Sequence, residues 1–386
     1  MALRHLFQAT KISGIRLKSG HRADGSDMVL KALKVEGYRN LDIPRRELSP
    51  GINILCGDNA QGKTNFLEAV YFCSFGRSPR VRTDGELIKW GASSCHIRAE
   101  FLRGGVFYDL DAFLETTGKK TVKSISLDRI PIRHMKDLFG RLLTVMFSPE
   151  DLRLIKAGPT ERRRFMDMEI CQLSPVYYGN LKEYHRSLKQ RNALLKSLQK
   201  DRSQQESLEI WDEQLTKYGL QIIKTRQNFT AKINTAAAEI HRNITQGRET
   251  LKMKYKPGIS AESFKEVLTK SHEKDIARGI TTEGIHTDDI EFTINKVNVR
   301  YYGSQGQQRT AALCAKLAEI NIITESTGES PILLLDDVLS ELDVHRQKFL
   351  LKQIQNLQTI VTCTGVEDVL KTSNANIIKV ENGRLI

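Results

Sequence analysis

Residues 57–64 read Gly57-Asp58-Asn59-Ala60-Gln61-Gly62-Lys63-Thr64 and satisfy G-x-x-x-x-G-K-[ST] at every fixed position. The segment before them, INILC at 52–56, is strand-like, and the stretch from 65 to 75, NFLEAVYFCSF, is helical in pattern. A strand that enters a glycine-rich turn and leaves as a helix is the context this motif requires. The glycines let the chain curl so that successive N–H groups face phosphate oxygens, and the helix start adds partial positive charge. In that geometry Lys63 reaches the β- and γ-phosphates of a nucleotide and the Thr64 hydroxyl ligates Mg²⁺. The plain alternative is a glycine-rich turn with Lys63 facing solvent.

Working outward, Ile332-Leu333-Leu334-Leu335-Asp336-Asp337 is an apolar run ending in two carboxylates. An unpaired carboxylate at the end of a buried strand is costly, and a cation offsets that cost. Asp336 is therefore expected to hold Mg²⁺, directly or through water. Asp337 is then placed to take a proton from attacking water. Alone, the pair also suits the N-cap of a helix near 343–356. A third element, YGSQGQQR at 302–309, precedes a helical stretch at 310–323. Ser304, Gly306 and Gln307 there offer a hydroxyl, free N–H groups and a helix dipole to an anion. Singly this is a capped turn; in order with the other two it reads as the signature loop of ABC-type ATPases. Residues 340–343, SELD, then match the D-loop of that class.

The 386 residues carry 59 Lys and Arg against 46 Asp and Glu, a formal charge of +13. That balance favours a polyanionic partner, most simply nucleic acid. Length allows two or three domains, and 40% hydrophobic with 27% charged residues fits an ordinary globular chain. No apolar run approaches the roughly 18–20 residues needed to cross a bilayer. Six scattered cysteines without a CxxC pair point to a reducing cytosol rather than a disulfide framework or structural zinc. Residues 1–27 are basic and lack apolar periodicity. They read as a leader ahead of a natural start at Met28, as a flexible basic tail, or as a transit peptide.

Short alternating pieces over 95–147 predict a mostly antiparallel β section. Beyond about 161 the pattern is helical. Leu181, Leu188 and Leu195 recur every seven residues, with Tyr184, Arg191 and Leu198 three positions after each. A polar turn at 200–207 leads to a second amphipathic pattern from Leu208 to Ile244. The two make an antiparallel helical hairpin, either packed on a core as a lobe or projecting as an arm. Residues 28–160 and 290–386 are thus expected to form an α/β head, with 161–289 an inserted helical lobe. Between 181 and 200, Lys182, Arg186, Lys189, Arg191, Lys196 and Lys200 face Glu183 alone. Arg162, Arg163 and Arg164 lie just upstream. Lys182, Arg186, Lys189 and Lys196 are the candidates for DNA-backbone contact, against the alternative of a solvated face.

Further stretches carry a resemblance. Gly37-Tyr38-Arg39-Asn40, GKTNFLEA at 62–69, FSPEDL at 147–152, and Gly158-Pro159 with Arg162, Arg163, Phe165 and Asp167 form one group. YHRSLKQRNAL at 184–194 and LLLDDVLSELDVHRQKFL at 333–350 complete it. Together they cover residues 29–386 and resemble the RecF family, bacterial SMC-like DNA repair ATPases. The resemblance implies an ABC-type P-loop head of mixed β-sheet and helices, plus an inserted helical lobe with a short antiparallel coiled-coil-like arm. It implies ATP and Mg²⁺ as cofactors, with Arg39 and residues 57–65, including Asn65, around the nucleotide. It further implies an ATP-dependent homodimer in which Ser304 of one subunit meets the nucleotide on Lys63 of the other. The implied partners are DNA with single-strand/double-strand junctions at gaps, and RecO and RecR in loading RecA.

Two departures from most ABC ATPases stand out. Asp337 occupies the catalytic-acid position usually held by Glu, and the last core strand, ending Thr362-Cys363-Thr364-Gly365, lacks a switch histidine. Both fit slow hydrolysis. No glutamine in 147–152 serves as a Q-loop. The competing classes are the nucleotide-binding subunit of a membrane transporter and a non-catalytic scaffold that uses ATP only as an assembly switch.

Overall fold

The computed structural model describes residues 28–118, 120–364 and 375–386; the leader-like segment 1–27 and Gly365 lie outside them. Alternating apolar residues make β1 (Val29–Tyr38) a two-faced strand with Leu30, Leu33 and Val35 buried. It pairs antiparallel with β2 (Leu41–Glu47) on one side. After β3 (Ile52–Cys56), the chain passes through the 57–62 loop into α1 (Lys63–Phe75). Then β4 (Ser94–Arg103), β5 (Val106–Thr117), β6 (Lys120–Leu127) and β7 (Ile130–Pro131) extend the first sheet in the order β2-β1-β4-β5-β6-β7.

One part of the expected antiparallel section belongs elsewhere. The TVMF segment, β8 (Thr144–Phe147), is buried along its whole length and joins a second sheet as a parallel strand. A strand covered on both faces needs a continuous apolar run rather than alternation, so the local pattern did not tell the two sheets apart.

The helical section comprises α2 (Arg153–Lys156), α3 (Pro159–Leu173), α4 (Pro175–Leu198) and α5 (Leu208–Ile244). It continues through β9 (Leu251–Lys256), α6 (Phe264–Lys270), α7 (His272–Arg278), β10 (Asp289–Ile294) and β11 (Val297–Asn298). Ser174, whose hydroxyl accepts from Tyr177 N, caps α4 and separates it from α3. The 37 residues of α5 run roughly 55 Å at 1.5 Å per residue. The C-terminal part of α5 packs on β9 and on α9 (Gln305–Thr327), while α4, α6 and α7 pack toward its start. The hairpin is thus a lobe seated on the head whose far end is a short arm. That end has its own small core of Leu195, Leu198, Leu208 and Ile276. Gly219 lets α6 approach α5, because a Cβ there would press into the Phe264 ring.

The boundary expected at 290 falls inside a sheet. β10 pairs antiparallel with β9 from Asp289↔Lys256 to Ile294↔Leu251. After β11 come α8 (Val299–Tyr302), α9, β12 (Ile332–Asp336), α10 (Val344–Ile354), β13 (Thr359–Cys363), β14 (Asn376–Glu381) and β15 (Arg384–Leu385). The second sheet has the order β15-β14-β3-β13-β12-β8, and all but β15 run parallel. α1 packs against β12 and β13 on one side and β1 and β4 on the other, which is why it is apolar almost all round.

Candidate functional site

The carboxyl ends of β3, β13 and β12 lie side by side, with Cys56 opposite Cys363 and Asp336 opposite Thr362. Ligands of open parallel sheets bind at such strand ends. Here the chain leaves β3 through Gly57, whose φ of +157° and closeness to Val380 O exclude a side chain. Gly62 is equally constrained: φ is +110°, and a Cβ would meet Leu41 and Asn40. Lys63 Nζ donates to Gly57 O at 2.6 Å and Asp58 O at 2.7 Å, so its ammonium lies over the curled loop. Asp58, Asn59 and Ala60 are exposed at the loop's crest. Below it, Gly383 N donates to Gln61 O and Asn382 N to Gln61 Oε1, so the β14–β15 turn braces the loop.

Thr64 Oγ1 donates to Asp336 Oδ1 at 2.7 Å, joining positions 272 residues apart. Asp336 is buried at the end of β12, whereas Asp337 is exposed and turns the chain with φ +52°. A hydroxyl and a carboxylate oxygen at this distance suit a hard divalent cation that keeps phosphate and water oxygens as its other ligands. Among the described residues no cluster of three or more His, Cys, Asp or Glu side chains is arranged to hold a metal. Thr64 and Asp336 would be the residues to hold Mg²⁺ carried with a nucleotide. Ser340 Oγ donates to Asp337 O at 2.8 Å. Thr362, which sequence reasoning missed, donates to Asp336 Oδ1 and accepts from Asp337 N. Its position in the last turn-facing register of a TIVTC strand was the available signal.

Arg39 sits at φ +56° at the β1–β2 turn. Its Nε and Nη2 donate to the two oxygens of buried Glu68 on α1, each at 3.1 Å. Burial opposes the guanidinium charge, yet the Glu68 carboxylate carries its pKa above the ordinary value. Two of its five N–H donors are thus committed to bracing α1. Asn65 reaches the same turn, donating to Asn40 Oδ1 at 2.8 Å, and Asn40 donates to Ala60 O at 3.3 Å.

The third element is a capping box. Ser304 Oγ accepts from Gln307 N at 3.2 Å and Gln307 Oε1 accepts from Ser304 N at 2.9 Å, with Ser304 exposed and Gly306 beside it. Among the described residues no hydrogen bond joins this loop to Lys63, Thr64 or Asp336. The fold joins the phosphate loop to the acidic strand end through Thr64 and Asp336.

On α4, Lys182, Arg186, Lys189 and Lys196 are exposed, and their spacing of four, three and seven residues sets them on one stripe. Arg191 is turned inward instead. Its Nε donates to Asp212 at 2.7 Å and its Nη1 to Asp275 at 2.6 Å, all three side chains being essentially inaccessible. The upstream arginines are likewise structural. Arg162 pairs with Asp289, Arg163 donates to Asp288 O, and Arg164 donates to Pro79 O.

A family model described as an AAA domain matches residues 32–363. The DNA replication and repair protein RecF of Lachnospira eligens is 46% identical over 363 residues, covering 93% of this chain and 99% of that protein. RecF of Lachnoclostridium phytofermentans is 47% identical over 341 residues, 88% of this chain and 94% of its own. The solved structure of the recombination mediator protein RecF with ATP in the RecFOR pathway superposes with a TM-score of 0.87 at 35% identity. It covers 95% of this chain and 99% of its own. The Smc head domain of Pyrococcus furiosus, at 16% identity and a TM-score of 0.53, shares the fold over 93% of this chain and 96% of its own. The head is of ABC type, with an inserted lobe and arm, and the chain belongs to the RecF family of DNA replication and repair proteins.

Proposed function

We propose that this chain binds MgATP on residues 57–65 and uses it to form a homodimer that clamps DNA. Slow hydrolysis then promotes release. The observation that carries the reading is the Thr64–Asp336 pair at 2.7 Å beside the phosphate loop. Lys63 neutralises phosphate charge, and Thr64 and Asp336 would hold Mg²⁺, which offsets charge on the phosphates when bound. Asp337, exposed on the turn after β12, would orient and deprotonate water; its shorter side chain in place of Glu fits slow turnover. Ser304, Gly306 and Gln307 would complete the nucleotide site of a second copy, and Arg39 would add a contact near the loop through the part of its guanidinium not bound to Glu68. The exposed stripe of Lys182, Arg186, Lys189 and Lys196 is the proposed DNA-backbone surface. Gapped DNA, RecO and RecR are the proposed partners, with RecA loading the outcome, in the cytoplasm at the nucleoid. No helix among the described residues is long and apolar enough to cross a membrane.

The test is sedimentation with Mg-ATP and gapped DNA, with Lys63→Arg as control. The reading expects an ATP-driven monomer-to-dimer shift that DNA enhances and the variant loses. DNA binding by a species that stays monomeric would overturn it. Asp337→Asn separates hydrolysis-coupled release from a pure assembly switch: an unchanged DNA release rate favours the switch.

A further inference from the structure

Glu249, five residues past the end of α5, divides its carboxylate between two elements. Its Oε1 accepts from Gln307 Nε2 at 2.8 Å, and its Oε2 lies 3.6 Å from Nε2 of His241, which is buried in α5. Gln307 is the residue whose own Oε1 accepts the Ser304 N–H. A second contact reaches the same end of the helix: His345 Nε2 on α10 lies 3.3 Å from the carbonyl of Ile244, the last residue of α5. The starts of α9 and α10 are also tied together. Arg309 pairs with Glu341 at 2.7 Å and Arg346 Nε donates to Thr310 Oγ1 at 3.0 Å. The Ser304 loop, the turn before α10 and the end of the 37-residue lobe helix thus share one set of polar contacts.

We infer that Glu249 is a positioning residue for the Ser304 loop, linking it to the end of α5. A hydrogen bond to a charged acceptor is stronger than one to water-exchanging partners, so Glu249 holds the Gln307 amide in the rotamer that closes the cap. The cap fixes the direction of the Ser304 hydroxyl, which otherwise rotates freely ahead of the first turn of α9. The nucleotide it faces belongs to a second copy, so this inference rests on the reading of Ser304 as acting in trans. A displacement of α5 from the arm side would reach the Gln307 side chain through Glu249, beside the direct packing of α5 on α9.

Glu249→Ala removes the acceptor, whereas Glu249→Gln keeps an amide oxygen for Gln307. The full chain is assayed for ATP affinity at dilutions where it is monomeric, for dimerisation with Mg-ATP by sedimentation, and for steady-state turnover. Glu249→Ala is expected to leave monomer ATP affinity unchanged while weakening dimerisation and lowering kcat by about tenfold. Glu249→Gln should restore most of both. The unfolding free energy of each Glu249 variant, read by urea denaturation, guards against a folding defect. If Glu249→Ala dimerises like the parent while Ser304→Arg does not, the positioning role is overturned. If Ser304→Arg also dimerises like the parent, the trans reading beneath it fails instead.

Discussion

Thr362 Oγ1 donates to Asp336 Oδ1 at 2.9 Å while accepting the Asp337 amide proton at 3.0 Å. One hydroxyl at the end of β13 therefore fixes both acidic residues at the end of β12. The same Asp336 oxygen takes the Thr64 hydroxyl, so β13 and α1 aim the carboxylate together.

Thr362→Val keeps the branched shape and deletes that hydroxyl. It leaves the Asp337 N–H without its partner and Asp336 with one donor fewer. The expected result is ATP turnover lowered by about tenfold, with most of the loss in kcat. Thr362→Ser should recover most of it. Steady-state kinetics of the two variants against the parent is the check, and equal loss in both would count against the hydroxyl.

Arg191 and the exposed stripe on α4 make opposite predictions on the same helix. Arg191→Leu takes the guanidinium from two buried carboxylates, leaving Asp212 with His272 and Asp275 with Thr282 as their remaining side-chain partners. It should cost about 3–5 kcal/mol of unfolding free energy, read by urea denaturation. A change below about 1 kcal/mol would show that the site relaxes or floods with water.

Replacing Lys182, Arg186, Lys189 and Lys196 together by Ala should leave unfolding free energy nearly unchanged, because all four are exposed. The slope of log affinity for DNA against log salt should become shallower by roughly three to four, somewhat under one for each of the four phosphates no longer neutralised. A slope equal to the parent's would remove this stripe from the DNA surface.

His286 supplies a pH dependence. Its Nδ1 lies 3.2 Å from Tyr184 OH and its Nε2 lies 3.1 Å from Thr281 O, a pattern the neutral ring satisfies. Burial first, and then neighbouring Arg163 and His185, hold its pKa below the ordinary value near 6.5, against the Thr281 carbonyl and, more weakly, Asp288, which oppose them. Burial lowers His241 in the same way. A depressed folded pKa means the unfolded chain binds protons first. Stability is then full above pH 6.5 and falls as pH drops toward the folded values, by at most about 1.4 kcal/mol per pH unit for each ring. His286→Asn should flatten the slope of urea-unfolding free energy between pH 6.5 and 5. An unchanged slope would assign the effect to other groups.

Local chemistry made much of this legible before any fold was known. The phosphate loop needs a glycine where φ is positive and a Lys-Thr pair at the helix start, and both are sequence-local demands. The Ser304 cap closes within four residues, and the apolar run of β12 reflects burial on both faces, so these too are written along the chain. The membership of β8 in the parallel sheet was not, because a four-residue apolar run fits either sheet equally well. The arginines misled for a related reason: composition counts charge but does not show which partner it meets. Arg162 looks like a DNA contact or a solvated charge until Asp289 arrives from a distant element, and Arg191, on the apolar stripe and open to either reading, becomes structural once Asp212 and Asp275 meet it.

The sequence by itself thus determined the nucleotide loop, the acid at the strand end, the order of the three elements and the presence of a helical hairpin. Each depends on residues within a few positions of one another. Only the tertiary structure decided that Thr64 meets Asp336, that Thr362 aims both carboxylates, that Arg39 braces α1 through Glu68, and that Glu249 ties the Ser304 loop to α5. Those pairings join residues tens to hundreds of positions apart. No local propensity encodes them, since they exist only after two sheets and a lobe have packed to exclude water and left each buried polar group to find its partner.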